Sequence, residues 1–120
     1  MKSFLKPMLV AGVLVASLTA LQQGEAQAEP LVSSYYGYEL AGSPTASGAP
    51  FDPAGYTAAS LTYPLGTQLL VTYGGNSVVV TVNDRGPYVA GRQLDLSQGA
   101  ADAIGLTAVG FDVVDVQVIG

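Results

Sequence analysis

The chain has 120 residues, a net charge of −5, and neither histidine nor cysteine. An acidic surface repels phosphate backbones, so we do not expect a nucleic-acid partner. The lack of histidine and cysteine excludes disulfides and removes the commonest general base and metal ligand. Any chemistry must rest on carboxylates, hydroxyls, amides and the two arginines beyond residue 28. We therefore expect neither a metal nor another cofactor.

Residues 1–28 have the pattern of a secretory signal peptide. Lys2 and Lys6 precede an almost wholly apolar run over residues 8–20, and Ala26-Gln27-Ala28 supplies small residues for cleavage. A run of about a dozen apolar residues is shorter than the roughly 20 that a membrane span needs. An uncleaved N-terminal anchor is the alternative interpretation.

The signal-peptide pattern predicts that the protein is exported. We expect residues 29–120 to be one domain, a monomer without stable membrane insertion, in a bacterial cell envelope or outside the cell. Export without disulfides favours a bacterial source. Because the chain contains no cysteine, we do not expect a lipoprotein.

The next segments read mostly as β-structure. Leu31–Tyr38 is rich in β-formers and predicts a strand. Residues 41–60 are rich in Gly, Pro, Ser, Thr and Ala and predict a long functional loop. Residues 67–73 and 77–82 predict two strands that pair as a hairpin, because Gly74-Gly75-Asn76 between them tolerates the positive φ of a tight turn.

The C-terminal part adds two strands and a helix. Residues 83–87 break the preceding strand, and residues 92–96 predict a short new one. A short helix is predicted over 97–104 with Ser97 as its N-cap, followed by a last strand over 111–119. Five or six short strands with one helix favour a closed small barrel, since closure removes exposed edges.

Several motifs in this order resemble the rare lipoprotein A-like proteins. They are PTASGAPFDP (44–53), YTAAS (56–60), YPLGTQLLVT (63–72), SVVVTVNDRGPYVAGRQLDLS (77–97) and AADAIGL (100–106). The resemblance covers about residues 33–118. It implies a mainly β fold, a six-stranded double-psi β-barrel with one short helix and a groove across one face. It also implies a lytic transglycosylase that acts on the glycan strands of peptidoglycan.

Two positions depart from the family's pattern. The resemblance implies three acid or base residues: a glutamate in the first motif, a histidine ending the second, and the aspartate of NDRGP. Here the first is Ala49, the second is Ser60, and only the third is present, as Asp84. A hydrolase normally needs two carboxylates. A transglycosylase can use one carboxyl first as acid and then as base, because its nucleophile belongs to the substrate.

Three aspartates are candidates for the chemistry. The resemblance favours Asp84 as the catalytic acid or base; the alternative is a turn residue whose carboxylate accepts backbone N–H bonds. Asp95 is a secondary candidate, since related barrel glycosidases carry an aspartate there, but we favour a role in stabilising the following helix. Asp52 lies three residues past Ala49 and is a possible substitute for the missing glutamate.

Five other residues are candidates for substrate binding. Tyr36 and Tyr88 are expected to stack on sugar rings, and Ser47 and Ser60 to bond sugar hydroxyls. Ser60 is not a nucleophile candidate, because there is no histidine to activate it. Arg85 is expected either to clamp a muramoyl carboxylate or sugar oxygens, or to form a salt bridge within the acidic domain.

These observations leave three functions open. The first is a lytic transglycosylase with Asp84 as the remaining acid or base, and we lean towards it. The second is a non-catalytic, expansin-like glycan-binding or wall-loosening protein, which Ala49 and Ser60 favour. The third, a secreted protease inhibitor that uses the barrel loops, has only size and export in its support.

Overall fold

The computed structural model describes residues 28–120 and contains six strands and one α-helix within them. The predicted signal peptide lies outside this range except for Ala28 and stays a prediction. Over the same range, no helix is long and apolar enough to cross a membrane. The elements are β1 (Glu29–Tyr36), β2 (Thr57–Ser60), β3 (Gln68–Tyr73), β4 (Asn76–Asp84), β5 (Leu94–Ser97), α1 (Gln98–Ile104) and β6 (Asp112–Val118). Short 3-10 helices cover Tyr38–Leu40 and Leu106–Ala108.

The strands close into a barrel in the order β1-β5-β2-β4-β3-β6. The pairs β1/β5 and β2/β4 are parallel, and the other four pairs are antiparallel. Closure pairs each strand on both sides, which leaves no open sheet edge. The predicted mainly β barrel of six strands with one short helix is confirmed.

Local sequence explains most element boundaries. The β3/β4 hairpin turns at Gly74 and Gly75, whose φ angles of 57° and 90° suit a tight two-residue turn. The prediction that residues 41–60 are irregular is wrong for the last four of them, which form β2. This strand lies between β5 and β4. Its sequence, TAAS, lacks the alternation of large apolar residues by which a strand is usually recognised.

The core lies inside the barrel and under α1. Period-2 alternation sends one face of each strand inward. The largest fully buried side chains are Leu69, Leu94, Leu96, Ile104 and Leu106. With the buried valines of β3, β4 and β6 they form one apolar cluster. Ala58 belongs to this cluster and the next residue, Ala59, faces the other side of the wall.

Helix α1 begins and ends as the sequence predicts. The Ser97 hydroxyl oxygen accepts a 3.3 Å hydrogen bond from the Ala100 amide, and Gly105 ends the helix in the left-handed region. Gly99 permits a close approach at the first turn, since a Cβ there would lie 2.7 Å from the Ala54 carbonyl oxygen. The helix is therefore fixed against the loop that precedes β2.

A β-bulge interrupts the parallel pair β2/β4. Ala58 lies opposite Val82, but Ala59 lies opposite Asp84, so that Asn83 has no partner residue on β2. The prediction that this strand ends at Val82 is therefore two residues short. A bulge redirects the side chains that follow it. It places Asp84 on the same face as Ala59.

Replacing Ser97 by alanine tests the link between α1 and the barrel. The buried hydroxyl accepts from the Thr57 amide (3.2 Å) and donates to the Gly55 carbonyl (2.7 Å) besides capping α1. Ser97→Ala leaves the Thr57 amide and the Gly55 carbonyl without this partner, so we expect a loss of about 1–3 kcal/mol in the free energy of unfolding. Urea denaturation measures it. Exposed Ser77 is the control, and Ser77→Ala is expected to stay within about 0.5 kcal/mol. Equal losses in the two variants would contradict this role.

Candidate active site

Four neighbouring strands place a polar row on the outer face of the barrel. Ser34 pairs with Asp95 across β1/β5, Asp95 pairs with Ala59 across β5/β2, and Ala59 pairs with Asp84 across β2/β4. Two strand spacings separate the aspartates, so their Cα atoms lie about 10 Å apart. Because Ala59 has a small side chain, the space between the two carboxylates stays open.

This row forms the floor of a cleft of about 240 Å³. The residues that line it are Tyr36, Leu40, Ala59, Asp84, Arg85, Gly86, Pro87, Tyr88, Val89 and Asp95. Four of the sequence-predicted site residues are therefore brought together with Asp95: Asp84, Tyr36, Arg85 and Tyr88. Tyr88 is 80% exposed and stands at the rim, where an aromatic face is open to a ligand.

The Asp84 carboxylate is oriented by backbone groups. Its Oδ1 atom accepts hydrogen bonds from the amides of Ala46 and Arg85, both at 2.9 Å. The Ser47 amide also donates to the Asn83 carbonyl at 3.0 Å, which holds the 43–51 loop against the end of β4. Asp84 therefore has both predicted features: its carboxylate accepts backbone N–H bonds, as in a turn, and it lies in the cleft.

Asp95 lies in the cleft floor, and its carboxylate is not used to cap α1. Ser97 makes the cap, whereas the Asp95 Oδ1 atom accepts a 3.0 Å hydrogen bond from the Ser34 hydroxyl. Burial raises the pKa of Asp95 to about 6; the charges of Asp84 and Glu39 add to this effect, and Ser34 and Arg92 oppose it. With this pKa, a fraction of the Asp95 carboxyls is still protonated near neutral pH and can donate a proton.

Tyr36 contributes its hydroxyl to the site, while one face of its ring is covered. The ring stacks on buried Phe51 with centroids 4.4 Å apart and an interplanar angle of 16°. The hydroxyl oxygen is buried beside Asp84 and has no hydrogen-bond partner of good geometry within residues 28–120. Burial, and then the charges of Asp84 and Asp95, raise the pKa of Tyr36 well above its ordinary value.

Arg85 and Ser60 are engaged in holding a turn. The Arg85 guanidinium donates to the carbonyls of Ser60 and Tyr63, in place of the predicted substrate clamp or salt bridge. The Ser60 hydroxyl is buried and accepts from the amides of Thr62 (3.1 Å) and Tyr63 (3.0 Å). Ser60 does not line the cleft, so its placement gives the predicted sugar contact no support.

The loop residues Asp52 and Ser47 also bond locally. Asp52 is exposed and its Oδ1 accepts from the Ala54 amide at 3.0 Å, which closes an Asx turn outside the cleft lining. It does not take the place of the missing glutamate in this structure. Ser47 is exposed and bonds to Thr45 and to the Ala49 amide. Both side chains shape the 43–51 loop.

Three contributors to the site were not identified from the sequence. They are the Ser34 hydroxyl, the Phe51 ring and the Ala46 amide. Ser34 depends on the β1/β5 register, which no local pattern reveals. For Asp95 a signal did exist, because its neighbours Leu94 and Leu96 are both core residues and alternation sends Asp95 to the opposite face.

A second pocket of about 260 Å³ lies at the start of β1, lined by Glu29, Leu31, Leu61, Thr62, Arg92 and Gln93. It holds a single carboxylate and lacks the paired aspartates. Across the described part of the chain, no group of three or more His, Cys, Asp or Glu residues is arranged to hold a metal ion. Proton transfer between the two carboxylates and a ligand is the chemistry that the first cleft can support.

The raised pKa of Asp95 predicts a specific dependence of stability on pH. The folded protein binds a proton at Asp95 below about pH 6, whereas an unfolded aspartate does so only below about 3.9. The free energy of unfolding therefore falls as pH rises through this window, and the contribution is lost above pH 6. Asp95→Asn removes the effect and keeps an acceptor for Ser34. We expect the variant to be more stable than the wild type at pH 7–8 by on the order of 2 kcal/mol, with the difference shrinking towards pH 4.

Chemical denaturation across pH 4–8 measures this difference, with Asp102→Asn at an exposed position of α1 as the control. A difference between wild type and Asp95→Asn that stays constant with pH would contradict the assignment.

Comparison with known proteins identifies the family. A family model described as lytic transglycolase matches residues 28–118. A probable endolytic peptidoglycan transglycosylase RlpA from Nostoc sp. is 45% identical over 93 residues, which cover 74% of this chain and 25% of the relative. The protein of the same description from Treponema pallidum is 40% identical over 110 residues, or 90% and 35% of the two chains. This chain therefore spans about a quarter to a third of the length of these curated relatives.

A solved structure supports the architecture. The Streptomyces papain inhibitor superposes with a TM-score of 0.65 at 22% identity, covering 81% of this chain and 98% of that chain. At this identity the likeness concerns the fold alone. From the family model and the relatives together, the chain belongs to the lytic transglycolase family, and its barrel is the double-psi β-barrel that the motifs implied.

Proposed function

We propose that the cleft binds the glycan strands of peptidoglycan in the bacterial cell envelope and cleaves them as a lytic transglycosylase. The observation that carries the proposal is the pair of aspartates that flank Ala59 on the cleft floor. The printed description of the relatives, endolytic peptidoglycan transglycosylase, names the reaction. The rest of those longer proteins is not matched by this chain, so the activity is proposed for the barrel domain.

Two carboxylates can divide the reaction between them. Asp95, with a pKa near 6, is suited to give its proton to the oxygen that links MurNAc to GlcNAc. As that bond breaks, the MurNAc 6-hydroxyl attacks its own anomeric carbon, and its proton passes to Asp84. The new bond closes an anhydro ring and no water is consumed. Asp84 is held by two amides in the orientation this step needs.

Asp95 is thereby given a larger role than the sequence suggested. With Ala49 and Ser60 at the family's acid and base positions, Asp84 alone would have to act as both acid and base. The cleft supplies a second carboxyl group with a raised pKa on the other side of Ala59. Division of labour between an ionised and a protonated carboxyl is a common arrangement in glycan cleavage.

The second candidate is a glycan-binding or wall-loosening protein without catalysis. It is favoured by the two positions that depart from the family's glutamate and histidine. Ala49 has no ionisable group, and the Ser60 hydroxyl is buried in a turn. The open cleft and the exposed Tyr88 ring would serve binding equally well.

Digestion of purified peptidoglycan separates these functions. We expect the protein to release glycan fragments with anhydromuramyl ends, detected by mass spectrometry, from intact sacculi or from strands stripped of stem peptides. Asp84→Asn and Asp95→Asn are each expected to lower the rate by at least about 100-fold, the scale of general acid-base catalysis. Asp115→Asn, at an exposed position on β6, should retain wild-type activity.

Other results have distinct meanings. Reducing ends in place of anhydro ends would indicate hydrolysis and contradict the transglycosylase proposal. Co-sedimentation with glycan but no products would establish the non-catalytic alternative. Activity that survives both aspartate substitutions would exclude this cleft as the reaction site.

A further inference from the structure

The Tyr36 hydroxyl is the feature of the cleft that its packing does not explain. Within residues 28–120, three buried polar side-chain atoms lack a hydrogen-bond partner: the Tyr36 hydroxyl, Thr57 Oγ1 and Asn83 Oδ1. Of these residues only Tyr36 lines the cleft. A buried hydroxyl without a partner destabilises the folded state, and phenylalanine would fill the same space without that cost. The hydroxyl therefore calls for a role outside packing.

The ring holds this hydroxyl in one place. Stacking on Phe51 at 4.4 Å fixes the plane of the ring, and the β1/β5 register fixes its backbone opposite Ser97. Tyr36 lies two residues beyond Ser34, on the face that carries Asp95. The hydroxyl consequently keeps a constant position relative to both carboxylates.

The two carboxylates each keep one oxygen atom available. In residues 28–120, the donors to Asp84 (the amides of Ala46 and Arg85) both reach Oδ1. The donor to Asp95, the Ser34 hydroxyl, also reaches Oδ1. The Oδ2 atoms are thus open to the Tyr36 hydroxyl or to a ligand.

The charged groups around the cleft make Tyr36 a donor. Asp84 on β4, Asp95 on β5 and Glu39 in the 3-10 helix Tyr38–Leu40 are acidic. The basic groups are Arg92 before β5, which acts on Asp95, and Arg85, whose guanidinium donates to backbone carbonyls. Burial beside these carboxylates keeps the phenol protonated throughout the physiological pH range. The charges of both carboxylates act on the phenol, so a small displacement of the side chains is sufficient for its hydroxyl to donate to one or the other.

We propose that Tyr36 is a positioning residue whose hydroxyl donates to whichever of Asp84 and Asp95 carries the negative charge. The inference rests on the proposed transglycosylase reaction. In the reactive form Asp95 carries the proton, and the hydroxyl donates to Asp84. As the Asp95 proton passes to the leaving oxygen and the 6-hydroxyl proton passes to Asp84, the charge moves to Asp95. The hydroxyl then donates to Asp95, and every proton is accounted for.

Tyr36→Phe tests the proposal, with exposed Tyr38→Phe as the matched control. The first readout is the titration of the Asp84 and Asp95 carboxyl carbons by NMR, which needs no catalysis. Loss of the donor removes stabilisation of the carboxylates. We expect the carboxyl that ionises first, to which the hydroxyl then donates, to titrate at least half a unit higher in Tyr36→Phe, and both midpoints to stay constant in Tyr38→Phe.

The second readout is the rate of glycan cleavage against pH. We expect Tyr36→Phe to lower kcat at least tenfold with little change in KM and to move the pH optimum upward. Its thermal midpoint should stay close to that of the wild type, because the loss of the hydrogen bond to a carboxylate is offset by the removal of a buried hydroxyl. A large fall in the thermal midpoint with unchanged carboxyl titration would assign the hydroxyl a purely structural role and overturn the proposal.

Unchanged carboxyl titration, or an unchanged kcat in Tyr36→Phe, would likewise overturn it. A wild-type protein that releases no products would contradict the proposed function instead. In that case the NMR titration still decides whether Tyr36 couples the two carboxylates.

Discussion

One register shift in the parallel pair β2/β4 determines where the Asp84 carboxylate points. Without the bulge at Asn83, period-2 alternation would put Asp84 on the same side as Val82, which is fully buried in the core. The extra residue turns Asp84 to the face that carries Ala59 and, one strand further, Asp95. Burying an unpaired carboxylate in the core would be strongly unfavourable. The bulge thus makes the sequence compatible with the barrel and also assembles the cleft.

Local patterns were sufficient for much of the fold. The glycine turn between β3 and β4, the Ser97 cap and the alternation in β6 each depend on neighbours in sequence, and each was predictable. β2 was missed because TAAS carries no large apolar residue, and only its position between β4 and β5 makes it a strand. The role of Asp95 was underestimated for a related reason. Its partner Ser34 is 61 residues away and meets it through a parallel pairing that no local motif encodes.

The contacts of Ser60 and the burial of Asp95 give a structural interpretation of the departures from the family's pattern. Ser60 supports a turn that also receives the Arg85 guanidinium, so this region is built as structure and not as a proton carrier. Within the cleft, burial raises the pKa of Asp95 to about 6, which supports the proposed role of this carboxyl as the acid. An acidic domain with two arginines and no histidine can still hold a proton donor, provided that burial raises the pKa of one carboxyl, as it does for Asp95.

In the proposed function, a glycan binds along the row Ser34–Asp95–Ala59–Asp84. The most direct test is an NMR titration of the ¹⁵N-labelled Asp84→Asn protein with a glycan-strand tetrasaccharide that lacks stem peptides, so that no turnover interferes. We expect saturable shifts centred on the amides of Ala46, Ala59 and Asp95. Shifts centred on exposed residues outside the cleft lining, such as Val79 of β4 and Val113 of β6, or no saturable shift at all, would contradict binding at this row.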